Sequence, residues 1–124
     1  MKYIRLLLFT LTCSCFTWAC TYNNEEELYG KNLNGCDTTA VSYNLDVLPI
    51  LQNNCYTCHN QTLVEGGINL EGYTRVKAIA QGGRLIGAIN HSPGFAPMPR
   101  GGAKLASCDI SKISRWIESG MPEN

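Results

Sequence analysis

Hydrophobic and polar positions divide the chain into three stretches of different character. Residues 6–19 carry no charge and hold Leu6, Leu7, Leu8, Phe9, Leu11, Phe16 and Trp18. Residues 21–34 are polar, with Asn23, Asn24, Glu25, Glu26, Glu27, Gly30, Asn32 and Asn34, and show no apolar period that would bury a face. From about residue 36 onward, apolar residues recur at helical spacing. Asn44 or Ser42 caps a short first helix through Asn54, with Val47, Ile50, Leu51 and Asn54 near one face. Pro49 must sit in the first turn of that helix or kink it. Gly66-Gly67 breaks the chain, and Ile68-Asn69-Leu70 is a short extended piece. Tyr73, Val76, Ile79 and Ala80 suit a second helix ended by Gly82-Gly83, and Leu85, Ile86 and Ile89 a third. Residues 92–103 hold three prolines and three glycines, which force a loop. Ser107 or Asp109 then opens the clearest helix, with Ile110, Ile113, Trp116 and Ile117 in period and Gly120 as a stop. Strand-like alternation is absent. The predicted fold class is all-α, with about four short helices.

The apolar N-terminal stretch follows a short basic start, with Lys2 and Arg5, and has the pattern of a secretory signal. The uncharged run continues to Asn24, just long enough to span a bilayer. Thr10, Thr12, Ser14, Thr17, Thr21 and Asn23 make it a poor permanent span, so it is read as a signal over residues 1–19. Ala19-Cys20 resembles the end of a bacterial lipoprotein signal, in which the cysteine becomes lipid-modified. Thr17-Trp18 departs from the small-aliphatic pair usual there. Cys13 and Cys15 compete for the role but leave a shorter apolar region, and simple cleavage after Ala19 would leave Cys20 free. The expectation is lipidation at Cys20, a flexible tether over residues 20–35 and a compact domain over residues 36–124. The lipid would anchor the chain to a membrane, with the domain exported to the periplasmic side or the cell surface.

Composition sharpens this picture in two ways. The 124 residues include 10 basic and 10 acidic ones and no Lys/Arg run, so there is no electrostatic footprint for nucleic acid. Loss of Lys2 and Arg5 with the signal would leave the mature chain slightly acidic. Seven cysteines, an odd number, cannot all belong to a disulfide framework. A domain of this size is also near the limit at which a hydrophobic core alone suffices, so a staple, metal or large cofactor is expected.

Cys55-Tyr56-Thr57-Cys58-His59 has the attachment pattern of c-type haem. Two thiols three residues apart on one helical turn can add to the two vinyl groups of one porphyrin. The following histidine then offers a ring nitrogen to the iron. Competing readings are half of a zinc site or a redox Cys-x-x-Cys with an incidental histidine. Zinc would need four protein ligands, and Cys36, Cys108 and His91 lie far away in sequence without a second close pair. One covalently bound haem c is therefore expected on Cys55 and Cys58, with His59 as proximal ligand.

An electron carrier needs a sixth ligand, for which Met98, Met121 and His91 are candidates. Met98 lies in Ala96-Pro97-Met98-Pro99, where the flanking prolines fix φ and remove backbone donors. Such a methionine has no helical core face to serve. Met121 lies past the last helix, and His91 precedes Ser92-Pro93 at the end of the third. Met98 is the expected distal ligand. Arg84 and Arg100 are candidates to pair with haem propionates. Tyr73 and Trp116 are candidates to line the cofactor, although Trp116 stands at core spacing. The second ring N–H of His59 needs an acceptor, for which a backbone carbonyl within residues 66–70 is expected.

Taken together, Val47-Leu48-Pro49-Ile50-Leu51, the haem motif, Gly66-Gly67-Ile68-Asn69-Leu70, Met98-Pro99 and Ile113-Ser114-Arg115-Trp116-Ile117 resemble small monohaem class I c-type cytochromes. More narrowly, they resemble the planctomycete-type cytochrome c domains and related lipoprotein cytochromes of Bacteroidetes. The resemblance covers residues 36–124. It implies a helical fold whose first and last helices pack near the haem, with His59 proximal and Met98 distal. If those helices pack in that way, Cys36 before the first and Cys108 at the start of the last would approach and form a disulfide, the alternative being two free thiols. The segment between His59 and Met98 is short for the family, leaving less protein over the haem edge.

The expected function is one-electron transfer with a redox partner protein, without catalysis. A haem peroxidase or ligand-binding sensor with a displaceable sixth ligand is the alternative, and a haem module that docks the chain to a larger enzyme is a third reading.

Overall fold

The structure, a computed structural model, describes residues 35–124. The expected signal over residues 1–19, the lipidated Cys20, its competitors Cys13 and Cys15, and the tether as far as Asn34 lie outside the described residues. Within the described residues every regular element is helical, as the apolar spacing predicts. A π-helical turn, Tyr43–Val47, leads into α1, Leu48–Asn54. A single 3-10 turn, Glu65–Gly67, follows. Helices α2, Tyr73–Gln81, and α3, Arg84–Ile89, form a contacting pair joined by two glycines. The long C-terminal α4 runs Ser107–Glu118. The only strand-like pairing among the described residues is an isolated bridge between His59 and Val64.

The entry to α1 shows how the sequence shapes its elements. Ser42 caps it, its Oγ accepting the N–H of Leu45 at 3.3 Å. Asp46 reaches back to the Ser42 N–H at 3.0 Å, so two of the donors orphaned at a helix start are satisfied reciprocally. Pro49 brings no N–H, and the ladder before it widens to a π turn. Val47 and Leu48 donate to the carbonyls of Ser42 and Tyr43, five residues back. Pro49 thus lies in the first turn of α1, one of its two allowed positions. Asn54 departs from the expected buried face. It is exposed and turns its amide onto the Ile50 carbonyl at 2.8 Å.

The core is built by α4, which contacts both the Tyr43–Val47 turn and α3. Ile113 and Trp116, one turn apart, are fully buried with Val47, Leu51 and Val76, and Ile110 and Ile117 flank them. Each such side chain contributes about 1.5–3 kcal/mol on leaving water. Trp116 satisfies its indole N–H on the Pro122 carbonyl at 2.9 Å, and Tyr43 packs against its ring at 5.4 Å.

The two ends of the described chain are sewn together around this core. Cys36 and Cys108 form a disulfide, with Cα atoms 5.5 Å apart and a sequence separation of 72. Lys112 on α4 meets Asp46 at 2.8 Å. Asn124 accepts from the Ser42 hydroxyl at 2.7 Å and from the Asn44 N–H at 2.9 Å, and its side-chain oxygen accepts from the Tyr43 N–H. No helix among the described residues is long and apolar enough to cross a membrane.

Candidate functional site

Helix α1 ends at Cys55, and the chain makes one more turn in which the N–H groups of Cys58 and His59 both donate to the Cys55 carbonyl, at 3.1 and 2.9 Å. Cys55, Cys58 and His59 therefore sit on a single helical turn, the arrangement their spacing predicts. Asn60 fixes the exit from that turn. Its amide donates to the Tyr56 carbonyl at 2.7 Å, and its side-chain oxygen accepts from the N–H groups of Thr62 and Leu63.

His59 is 8% exposed, the only buried imidazole, amide or charged side chain among the described residues. Its Nδ1 lies 3.2 Å from the Ile68 carbonyl. A carbonyl oxygen only accepts, so Nδ1 carries the proton, and in the neutral ring Nε2 is the nitrogen that keeps its lone pair. The His59 carbonyl in turn accepts from the Leu70 N–H at 2.9 Å. The segment after Gly66-Gly67 thus holds the ring and the backbone of the same residue. Gly66, at φ 61°, is what lets the chain turn back to do so.

Two open clefts, of about 590 and 680 Å³, adjoin this turn. They share Cys55, His59, Ile89 and Met98. The first is otherwise walled mainly by apolar side chains of α2, α3 and the 92–103 loop, among them Ile79, Leu85 and Phe95. The second includes Cys58, Pro99 and Leu105. Arg84 lines the first and Arg100 the second, and neither is in an ion pair among the described residues.

Other sequence candidates are placed elsewhere. His91 and Met121 line neither cleft. His91 is exposed and its Nε2 lies 3.0 Å from the Met98 carbonyl. Met121 packs against the core beside α4. Tyr73 and Trp116 also stay away from the clefts. Tyr73 donates its hydroxyl to the Met121 carbonyl at 2.8 Å, and Trp116 is wholly buried, so both serve the core rather than a cofactor surface.

Cys55 and Cys58 are free thiols. Burial pushes the Cys55 thiol up to about 11, whereas the attacking thiol of a redox Cys-x-x-Cys is held low by nearby positive charge. Among the described residues no three His, Cys, Asp or Glu side chains converge as metal ligands, so the pair lacks the companions a four-coordinate zinc site needs.

Sequence reasoning overlooked Phe95 and Gly87. A Cβ on Gly87 would lie 2.6 Å from the Phe95 ring, so the missing side chain is what lets the ring rest on α3 at the cleft. A glycine inside a short apolar helix, where alanine is preferred by up to ~1 kcal/mol, was the available signal of close approach. Comparison of the chain with family models, curated proteins and solved structures finds no match.

Proposed function

We propose that residues 36–124 form a monohaem c-type cytochrome domain that transfers single electrons. Cys55 and Cys58 would hold the porphyrin through thioethers, with His59 and Met98 as iron ligands. The haem would supply a one-electron Fe(III)/Fe(II) couple, which methionine ligation keeps relatively oxidising. The observation that carries the reading is the buried His59. Its Nδ1–H is committed to the Ile68 carbonyl and its Nε2 is left as a lone-pair donor beside two thiols and an apolar cleft. The residues fit a large apolar disc with charged edges. Leu70, Ile79, Leu85 and Ile89 offer a dry surface, and Arg84 and Arg100 offer guanidinium groups for carboxylates. The protein's own contribution is to fix the His59 tautomer, exclude water and bring Met98 to the shared wall. By the same proposal the chain is exported, lipid-anchored through Cys20, and exchanges electrons with a partner protein.

The test is production with haem-maturation machinery, followed by intact mass and visible spectra. One haem mass that survives denaturation is expected, and it should be lost in the Cys55→Ser/Cys58→Ser protein. The oxidised spectrum should carry a methionine-to-iron charge-transfer band that disappears in Met98→Ala. Rapid carbon monoxide binding to the reduced wild-type protein would favour a sensor or peroxidase instead. Label from a tagged fatty acid that Cys20→Ser abolishes would support the anchor.

A further inference from the structure

We propose that His91 is a positioning residue that latches Met98 against the end of α3 and so keeps its thioether available at the cleft; this rests on the His/Met reading above. The Met98 backbone is held at both ends. Its N–H donates to the Ala88 carbonyl at 3.0 Å, and its carbonyl lies 3.0 Å from His91 Nε2. The acceptor is a carbonyl, so Nε2 is the donor. The same Ala88 carbonyl accepts the His91 N–H at 3.1 Å, which makes α3, His91 and Met98 one closed hydrogen-bonded unit.

The local sequence explains why a side chain is recruited. Pro97 and Pro99 flank Met98 and have no N–H groups, so the loop offers few backbone donors with which to anchor itself. His91 leaves α3 at φ 55°, in the left-handed region, which reverses the chain after the helix. A histidine carries a donor on a stiff ring long enough to span back to residue 98. Neither cleft includes His91, so the ring acts through Met98 and touches no ligand space itself.

The experiment uses the haem-loaded full chain and three variants. His91→Gly removes the ring and takes the left-handed backbone freely. His91→Gln restores an N–H donor, and Met98→Ala removes the ligand. Three quantities are followed. They are the methionine-to-iron band against urea, the carbon monoxide association rate of the reduced protein, and helix unfolding by far-UV circular dichroism. In His91→Gly the band should vanish at lower urea than the helices unfold, and carbon monoxide should bind roughly three- to tenfold faster, the equivalent of one lost hydrogen bond. His91→Gln should recover most of both. An unchanged band and rate in His91→Gly, or a band lost only in step with the helices, overturns the latch and leaves the His/Met reading standing. A wild-type protein without the band, or a band that survives Met98→Ala, overturns both.

Discussion

Tyr43 shows how a single polar atom can work against the fold that contains it. The side chain is 3% exposed, its ring meets Tyr73 edge-on at 5.2 Å, and its hydroxyl has no hydrogen-bond partner among the described residues. A desolvated, unpaired hydroxyl costs about 1–3 kcal/mol. Tyr43→Phe keeps the ring packing and removes that cost, so the urea midpoint should rise, with a gain of about 1 kcal/mol. Burial also pushes the phenol up to about 12 from an ordinary value of 10.0. Its native value lies above its unfolded one, so the stability linked to it is full below pH 10 and is lost as pH rises toward 12. The alkaline limb of a stability–pH curve should therefore be shallower in Tyr43→Phe than in wild type, and an unchanged limb would refute the assignment. At this scale the placement of Cys55, Cys58 and His59 on one turn was legible in the sequence, because it depends only on local spacing. The choice of Ile68 as the His59 acceptor was narrowed only to residues 66–70. It depends on how the Gly66-Gly67 turn folds back, which spacing does not encode.

Helices α1, α2 and α4 follow the apolar periods closely, because each has a face to bury: α1 against the Tyr43–Val47 turn, α2 against α3, and α4 against both that turn and α3. The π turn before α1 was not legible. Pro49 announces a local disturbance but leaves open whether the ladder kinks or widens. The same is true of the 92–103 loop, whose prolines and glycines predict irregularity but not its route. That route depends on tertiary contacts, chiefly Phe95 lying on Gly87 and Met98 tied to Ala88. These contacts decide the effect of Gly87→Ala. Helix propensity alone favours alanine by up to ~1 kcal/mol. The new Cβ would meet the Phe95 ring at 2.6 Å, at its Cγ as well as its Cδ atoms, so the whole ring must move. The expected outcome is a net loss of about 1–3 kcal/mol, as for overpacking elsewhere. Phe95 is 41% exposed, which gives the ring somewhere to go and favours the lower end. In a Phe95→Ala background the same substitution should be neutral or stabilising. A double-mutant cycle by thermal denaturation measures the difference, and simple additivity would sink the argument.

Across the whole molecule, stability depends on joining the start of the described domain to its end. About ninety residues bury a modest core, and the Cys36–Cys108 bridge lowers the entropy of a chain that would otherwise be free over most of that length. With the cysteines separated by 72 positions in sequence, the chain-entropy relation gives on the order of 4 kcal/mol. Cys36→Ser/Cys108→Ser should lose about that much in urea unfolding; a loss below ~1 kcal/mol would mean that residual structure already restrains the unfolded chain, leaving the other clasps on the two ends to hold the native state. Those clasps are distinguishable by pH. The Lys112 ammonium and the Ser42 N–H hold the Asp46 carboxyl below its ordinary value. A depressed native value gives stability that is present above the unfolded value, near 3.8, and is lost as pH falls through the lower native one. The pair is partly exposed, so its contribution should be below about 1 kcal/mol. Asp46→Asn should thus cost little at neutral pH and flatten the acid limb between about pH 4 and the depressed native value. Reduction of the bridge should leave that limb in place while lowering the whole curve. If reduction also erased the acid limb, Asp46 and Lys112 would meet only because the disulfide brings them together, and the two clasps would be one.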